Sequence, residues 1–408
     1  MQNLLRLPVL VSLLAVAVPA SGQVTEATVE VGRLPSAVVY DTVNHKLYVA
    51  VKNTSSVAVI DTTNRVTKTI PVGSSPSALC WNPVEGKVYC ANDILVSDGS
   101  VSIISTATDS VIATVGVGEN PLGLTWSSAG NKVYCMNSEG RSVTVIGGAN
   151  NQVLTSLGLS QRANRILYNP VSNRVYVTSG GFQETGRVTV IDCVDDDIVA
   201  TLSTGNNANA FGLAHNPGNN RLYVTNAGAG NLRVINCNNN QGVGTLAAGV
   251  EPKAVAWTTN NKVFWASYWD HSTRWMPGDS TRIKRTVTLS GGPAAMLYNP
   301  VTTKLFAACP LESKVIVLDC RDQHELAVIT EIETGSGPEP MALSAGRNRV
   351  YVANSWGSTV TVLRDAVGIA EPEEPGAAPA VATRALPSPA PRGARVAFAA
   401  TGFTPARL

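Results

Sequence analysis

Charge is scarce in this chain: 31 Lys+Arg and 29 Asp+Glu amount to 15% of its 408 residues, against roughly 25% in an ordinary soluble domain. Repulsion-driven disorder is thereby excluded, and a net charge of +2 provides no basic stripe for a phosphate backbone, so no nucleic-acid partner is expected. Histidine is scarcer still, and His45, His215, His271 and His324 lie at least 53 residues apart, which excludes a zinc-binding helix pair of the H-E-x-x-H type. There is no Gly-x-Ser-x-Gly elbow, and Gly86-Lys87 lacks the rest of a phosphate loop. Gly116-Val-Gly118 and Gly228-Ala-Gly230 each open a dinucleotide fingerprint without its third glycine. No cofactor and no resident metal are expected. The seven cysteines are odd in number and never form C-x-x-C, so at least one is expected to be free.

Long apolar runs are absent beyond the N-terminus. Residues 1–23 read as a secretory signal, with Arg6 as the lone charge, an apolar stretch over 7–18 and small residues around Ala20. That stretch is shorter than the ~20 residues of a membrane span. The expectation is an exported chain, periplasmic, cell-surface or secreted, without a transmembrane segment once mature. Export permits disulfides, and Cys80 and Cys90 flank one hairpin, where a bond across it is one option.

Turn formers are abundant: Gly, Pro and Asn together supply 89 residues. Between them an element recurs, a basic residue, an aliphatic, an aromatic and a small or apolar residue. Its aromatic anchors are Tyr48, Tyr89, Tyr134, Tyr176, Tyr223, Phe264, Phe306 and Tyr351, spaced by 41 to 47 residues. A period near 40–45 residues without helical patterning is that of four-stranded propeller blades. In the first repeat, strands are expected over 36–40, 46–51, 57–61 and 65–72. Asn-Pro turns recur at Asn82, Asn169, Asn216 and Asn299, each seven residues before its anchor. Insertions are confined to the second and fourth repeats, at 93–99 and 180–186.

Eight anchors predict an all-β propeller of eight four-stranded blades over about 24–368, with seven as the runner-up. The chain starts with a lone outer-type strand at 27–32 and ends after a third-type strand at 360–363, so the two are expected to complete one blade and close the ring.

The Lys/Arg-aliphatic-Tyr-Val core resembles the YVTN-type β-propeller repeat of surface-layer and YncE-like proteins, as do Val-x-Val-Ile-Asp at 57–61 and 188–192 and Gly-x-x-Pro before each new blade. Tyr223-Val224-Thr225-Asn226 spells the repeat almost literally. Gly-x-x-Pro is read at Gly32/Pro35, Gly73/Pro76, Gly118/Pro121, Gly249/Pro252 and Gly337/Pro340, while Ala163 and Ala210 replace the proline in blades four and five. The resemblance implies the fold and a binding or scaffold module. Residues 369–391 form a Pro/Ala-rich linker, and 392–408 are either a disordered tail or the truncated start of a domain similar to FlgD-like or C-terminal sorting domains.

In a four-strand meander the regular Asn-Pro turns mark one face, and variable segments collect on the other. That other face is expected to carry the ligand-binding candidates Tyr268, Trp269, Asp270 and His271 in blade six, with Asn354 and Trp356 in blade eight. Aromatics beside a carboxylate and an imidazole suit a protein or a carbohydrate polymer at the cell envelope. The competing account has Trp265 and Trp269 simply packing between blades. Asp192 with Asp195-Asp196-Asp197 is read as a solvated acidic turn rather than a Ca²⁺ site. The expected function is therefore an exported, non-catalytic binding or scaffold propeller, with no catalytic residue singled out. The alternative is a propeller enzyme or enzyme subunit, lactonase-like or quinoprotein dehydrogenase-like, with a site at the central channel.

Overall fold

The computed structural model describes residues 23–365, apart from 95–96, 182 and 322–325. Residues 1–22 of the signal expected at 1–23, the expected linker and tail over 369–408, and His324 lie outside the described residues, whereas Gln23 already belongs to the first strand. Eight separate antiparallel sheets of four strands each stand around a central axis. Their inner strands are Pro35–Asp41, Pro76–Asn82, Pro121–Ser127, Ala163–Asn169, Ala210–Asn216, Pro252–Thr258, Ala295–Asn299 and Pro338–Ser344. The first blade follows the expected order, with its other strands at Lys46–Val51, Ser56–Ile60 and Val66–Pro71. Among the described residues, no helix is long and apolar enough to cross a membrane.

The ring closes as the strand count predicts. Gln23–Glu30 pairs antiparallel with Thr359–Asp365, from Gln23 opposite Asp365 to Glu30 opposite Thr359, and so becomes the outer strand of blade eight. Arg349 of that blade donates to the Thr62 carbonyl of blade one at 2.8 Å and clasps the Glu26 carboxylate.

The core is divided into eight apolar clusters, each between facing sides of two neighbouring blades. Tyr48 of blade one packs with Leu79 and Trp81 of blade two, and Tyr351 of blade eight packs with Tyr40 and Leu47 of blade one. Every blade is thus buried on both faces, which is why the second strands read as continuous apolar runs rather than alternating ones. The first turn of each blade ends in a left-handed residue, Asn at five of the eight positions: Asn131, Asn173, Asn220, Asn261 and Asn348. Asparagine tolerates that conformation better than other side-chain-bearing residues. At the turn's start, the buried Asn82 accepts the N–H groups of Val84 and Glu85, Asn169 accepts those of Val171 and Ser172, and Asn299 that of Val301.

One open option closes and one expectation requires correction. Pairing places Leu79 opposite Cys90 and Cys80 opposite Tyr89, so Cys80 and Cys90 point to opposite faces of the blade and into different interfaces. They form no bond, and all seven cysteines are buried free thiols. Burial holds them protonated, with Cys193 and Cys237 pushed up to about 11. In blade eight the register aligns Pro338, opposite Asn354, with Pro35 and Pro76. The Gly-x-x-Pro element there is Gly335/Pro338 rather than Gly337/Pro340.

Ring closure yields a direct test. Deleting Gln23–Glu30 removes Glu26 from the buried Arg349, a loss of about 3–5 kcal/mol, and bares the edge of Thr359–Asp365. Thermal unfolding of the deletion variant should begin about 10 °C below the parent. A parent-like transition would refute closure by this strand.

Candidate functional site

The second-to-third-strand loops and the crossovers between blades form one face of the ring, here the loop face. The blade-six loop brings Tyr268, Trp269, Asp270 and His271 together there. Tyr268 is buried beneath Lys253, whose Nζ sits 3.9 Å from its ring centroid, and meets Trp269 edge-on at 4.9 Å. Burial and the nearby Glu312 and Glu251 carboxylates hold its phenol above the ordinary range. The Trp269 indole N–H is bonded to Glu251, yet the ring is 57% exposed. Asp270 is engaged by Arg274 and Ser272, each at 3.1 Å. His271 Nε2 lies 3.9 Å from Glu312 Oε1, and the other oxygen of that carboxylate accepts the Gly292 N–H.

Blade eight separates its two candidates. Asn354 is fully buried at the end of Arg349–Asn354, its amide donating to the Thr359 and Thr361 hydroxyls at 2.7 and 3.0 Å. Asn92 and Asn137 make the same pair of bonds in blades two and three. It pins the third strand and contacts no solvent. Trp356, two residues on, is 54% exposed and lies flat on the crossover backbone at Gly337. A Cβ on Gly337 would come within 2.4 Å of the indole, and its φ of +67° already favours glycine.

Sequence reasoning missed Leu311. It occupies the loop position of blade seven that Trp269 and Trp356 occupy in blades six and eight, two residues past the second strand, and is 50% exposed. The same position holds Asn53, Glu139, Gly181 and Gly228 in blades one, three, four and five, and Ile94 in blade two. Three consecutive blades therefore present Trp, Leu and Trp, flanked by exposed Val250 and Leu34 in the neighbouring crossovers. The readable signal was this position compared across repeats, rather than aromatic residues alone. Scattered exposed apolar residues are ordinary, whereas here one loop position is large and apolar in three consecutive blades.

The acidic turn after Asp192 is structural. Asp196 receives Lys132 Nζ at 2.7 Å and the Tyr134 hydroxyl at 2.5 Å from blade three, and Asp192 caps the Val194 N–H. Among the described residues, no group of three or more His, Cys, Asp or Glu is arranged to hold a metal ion.

The inner strands surround a channel with a cavity of about 460 Å³, lined mainly by apolar side chains and by Arg165, His215, Lys253 and Glu339. His215 Nε2 lies 2.9 Å from Asn220 Oδ1, and burial lowers its pKa to about 4.

No protein-family model and no curated protein matches this chain. Solved structures do. The C-terminal WD40 domain of Sif2 is 12% identical with a TM-score of 0.70, the match covering 84% of this chain and 98% of that one. A chain of Kuenenia stuttgartiensis hydrazine synthase is 18% identical with a TM-score of 0.59, covering 84% and 99%. A chain of a mitotic checkpoint complex is 12% identical with a TM-score of 0.59, covering 89% and 98%. Such identities show a shared fold. The chain is an all-β, WD40-like propeller of eight four-stranded blades. The architecture is one that supports a binding or scaffold module.

The depressed His215 pKa has a signed consequence. The folded state binds fewer protons than the unfolded state below pH 6.5, so the contribution is complete above that pH and is lost as pH falls through about 4. Denaturant titrations between pH 7 and 4 should show a loss of at most about 1.4 kcal/mol per unit from this group. His215→Gln should flatten that slope, and an unchanged slope would remove the assignment.

Proposed function

We propose that this chain is an exported, non-catalytic propeller that binds a protein partner at the cell envelope or outside the cell. Its contact surface is the apolar arc of Trp269, Leu311 and Trp356. The observation that carries the reading is that Trp, Leu and Trp, each half exposed or more, occupy consecutive blades at a position that is Asn, Glu or Gly in four of the other five. Large apolar anchors ringed by polar neighbours are what protein interfaces concentrate their binding energy on. Glycan recognition is less well served. Asp270, a group suited to sugar hydroxyls, is engaged by Arg274 and Ser272, and the His271 imidazole has the Glu312 carboxylate 3.9 Å away.

Geometry adds an orientation. Gln23 and Asp365 are paired at the end of blade eight remote from the Ser355–Ser358 loop, so the described residues begin and end on the Asn-Pro-turn face. The arc therefore lies on the face opposite to Gln23 and Asp365, clear of both ends of the described ring.

The test is affinity capture from the producing cell's envelope and secreted fractions with the mature chain and a Trp269→Ala/Trp356→Ala variant. Losing two anchors of about 2 kcal/mol each should deplete the specific partner at least tenfold, with the melting temperature unchanged. Equal capture by both proteins, or retention only on insoluble polysaccharide, would contradict the reading.

A further inference from the structure

The channel contains one residue that breaks its symmetry. Two positions past the first paired residue of the inner strand stand Ala37, Ala78, Gly123, Gly212 and Ala254, and Pro340 in blade eight, and in blade seven Ala295, opposite Ala308 one residue before the end of its second strand, aligns with them. In blade four the same position is Arg165. Small residues let eight strands converge, so a long cation there is placed inside the channel rather than around it.

Its guanidinium is poorly provided for. One Nη donates to the Asn164 carbonyl at 2.9 Å, and the Phe211 ring lies 4.1 Å away as a stacking platform. Among the described residues, no carboxylate lies within 4 Å of it. Glu339, on the inner strand of blade eight and so across the ring, is the opposing charge that bears on it, and burial lowers the guanidinium's pKa. Arginine offers five donors in a planar fork, and Arg165, partly buried in the channel wall, leaves most of them without a protein acceptor. Other cations of the channel are already occupied or peripheral. Lys253 pairs with Glu251 at 3.1 Å and covers Tyr268, while Lys52 stands at the loop-face rim.

We propose that the channel binds an amphiphilic carboxylate, its head group forked on Arg165 and its hydrocarbon body laid along Leu122, Ile166, Leu167 and Met296. The fork matches the two oxygens of a carboxylate. The apolar walls disfavour a bare, strongly hydrated anion, and the volume of about 460 Å³ lies within the range of small-molecule sites. Phe211 fixes the plane of the guanidinium, and Glu339 repels the head group toward blade four. This site lies inside the ring, so it stands or falls separately from the loop-face arc.

Isothermal titration of the mature chain with octanoate, 1-octanol and inorganic phosphate tests it. Octanoate should bind one per chain, at least about tenfold more tightly than octanol or phosphate. Arg165→Met should bring octanoate down to the octanol level while leaving octanol unchanged. Glu339→Gln should tighten octanoate about threefold, a gain that general damage does not produce. Absence of saturable octanoate binding, octanol binding equally well, or an unchanged affinity in Arg165→Met would overturn the proposal. Should Arg165→Met fail to fold, Glu339→Gln decides alone: tighter octanoate binding supports the site and unchanged binding overturns it.

Discussion

The ring depends on one contact made between every pair of neighbouring blades. The basic residue that opens each second strand reaches across to the outer turn of the next blade. Lys46 meets Asp109, Lys87 the Gly148 carbonyl, Lys132 Asp196, and Lys304 Asp365, all at 2.7–2.8 Å. Arg174, Arg221 and Lys262 reach the carbonyls of Cys237, Gly278 and Cys320 in the same way. Where the anchor is tyrosine its ring fills the interface, and several hydroxyls join the contact, as Tyr48 on Asp109, Tyr134 on Asp196 and Tyr223 on Gly278. Arg349 on Thr62 completes the circuit from the last blade to the first. A two-residue signature in the sequence is thus a clasp, with an apolar half that excludes water and a polar half that sets the rotation between blades.

Such a scaffold is indifferent to what its loops and channel carry, so function is found in departures from the repeat. Outside, the departure is the Trp-Leu-Trp arc over blades six to eight. Inside, it is Arg165 at a position reserved for small residues. Both departures use positions that bear no clasp, and so each can vary without opening the ring.

The blade count, the strand order of a repeat and the closing strand were legible because aromatic anchors, Asn-Pro turns and strand counting all report local geometry. Register was less so. Pro338 and Pro340 fit the same spacing element, and only pairing with Asn354 distinguishes them. Cys80 and Cys90 are close along a hairpin, but the side of the sheet each takes depends on a one-residue offset. Of the candidate site, Tyr268 to His271 were found together because they are contiguous in sequence. Asn354 was grouped with Trp356 for the same reason, although its amide is consumed inside the blade. Leu311, Arg165 and Glu339 become neighbours of the sites only when equivalent positions of different blades are superposed.

The most direct measurement of the clasp is a double-mutant cycle between Tyr134→Phe and Asp196→Ala, read by chemical denaturation. Tyr134 and Asp196 lie 62 residues apart in sequence and in different blades, and they share one hydrogen bond that is buried between them. A coupling of about 1–3 kcal/mol is expected for a charge-assisted bond in this setting. Additive single-site losses would contradict the account, leaving apolar packing alone to hold the blades in register.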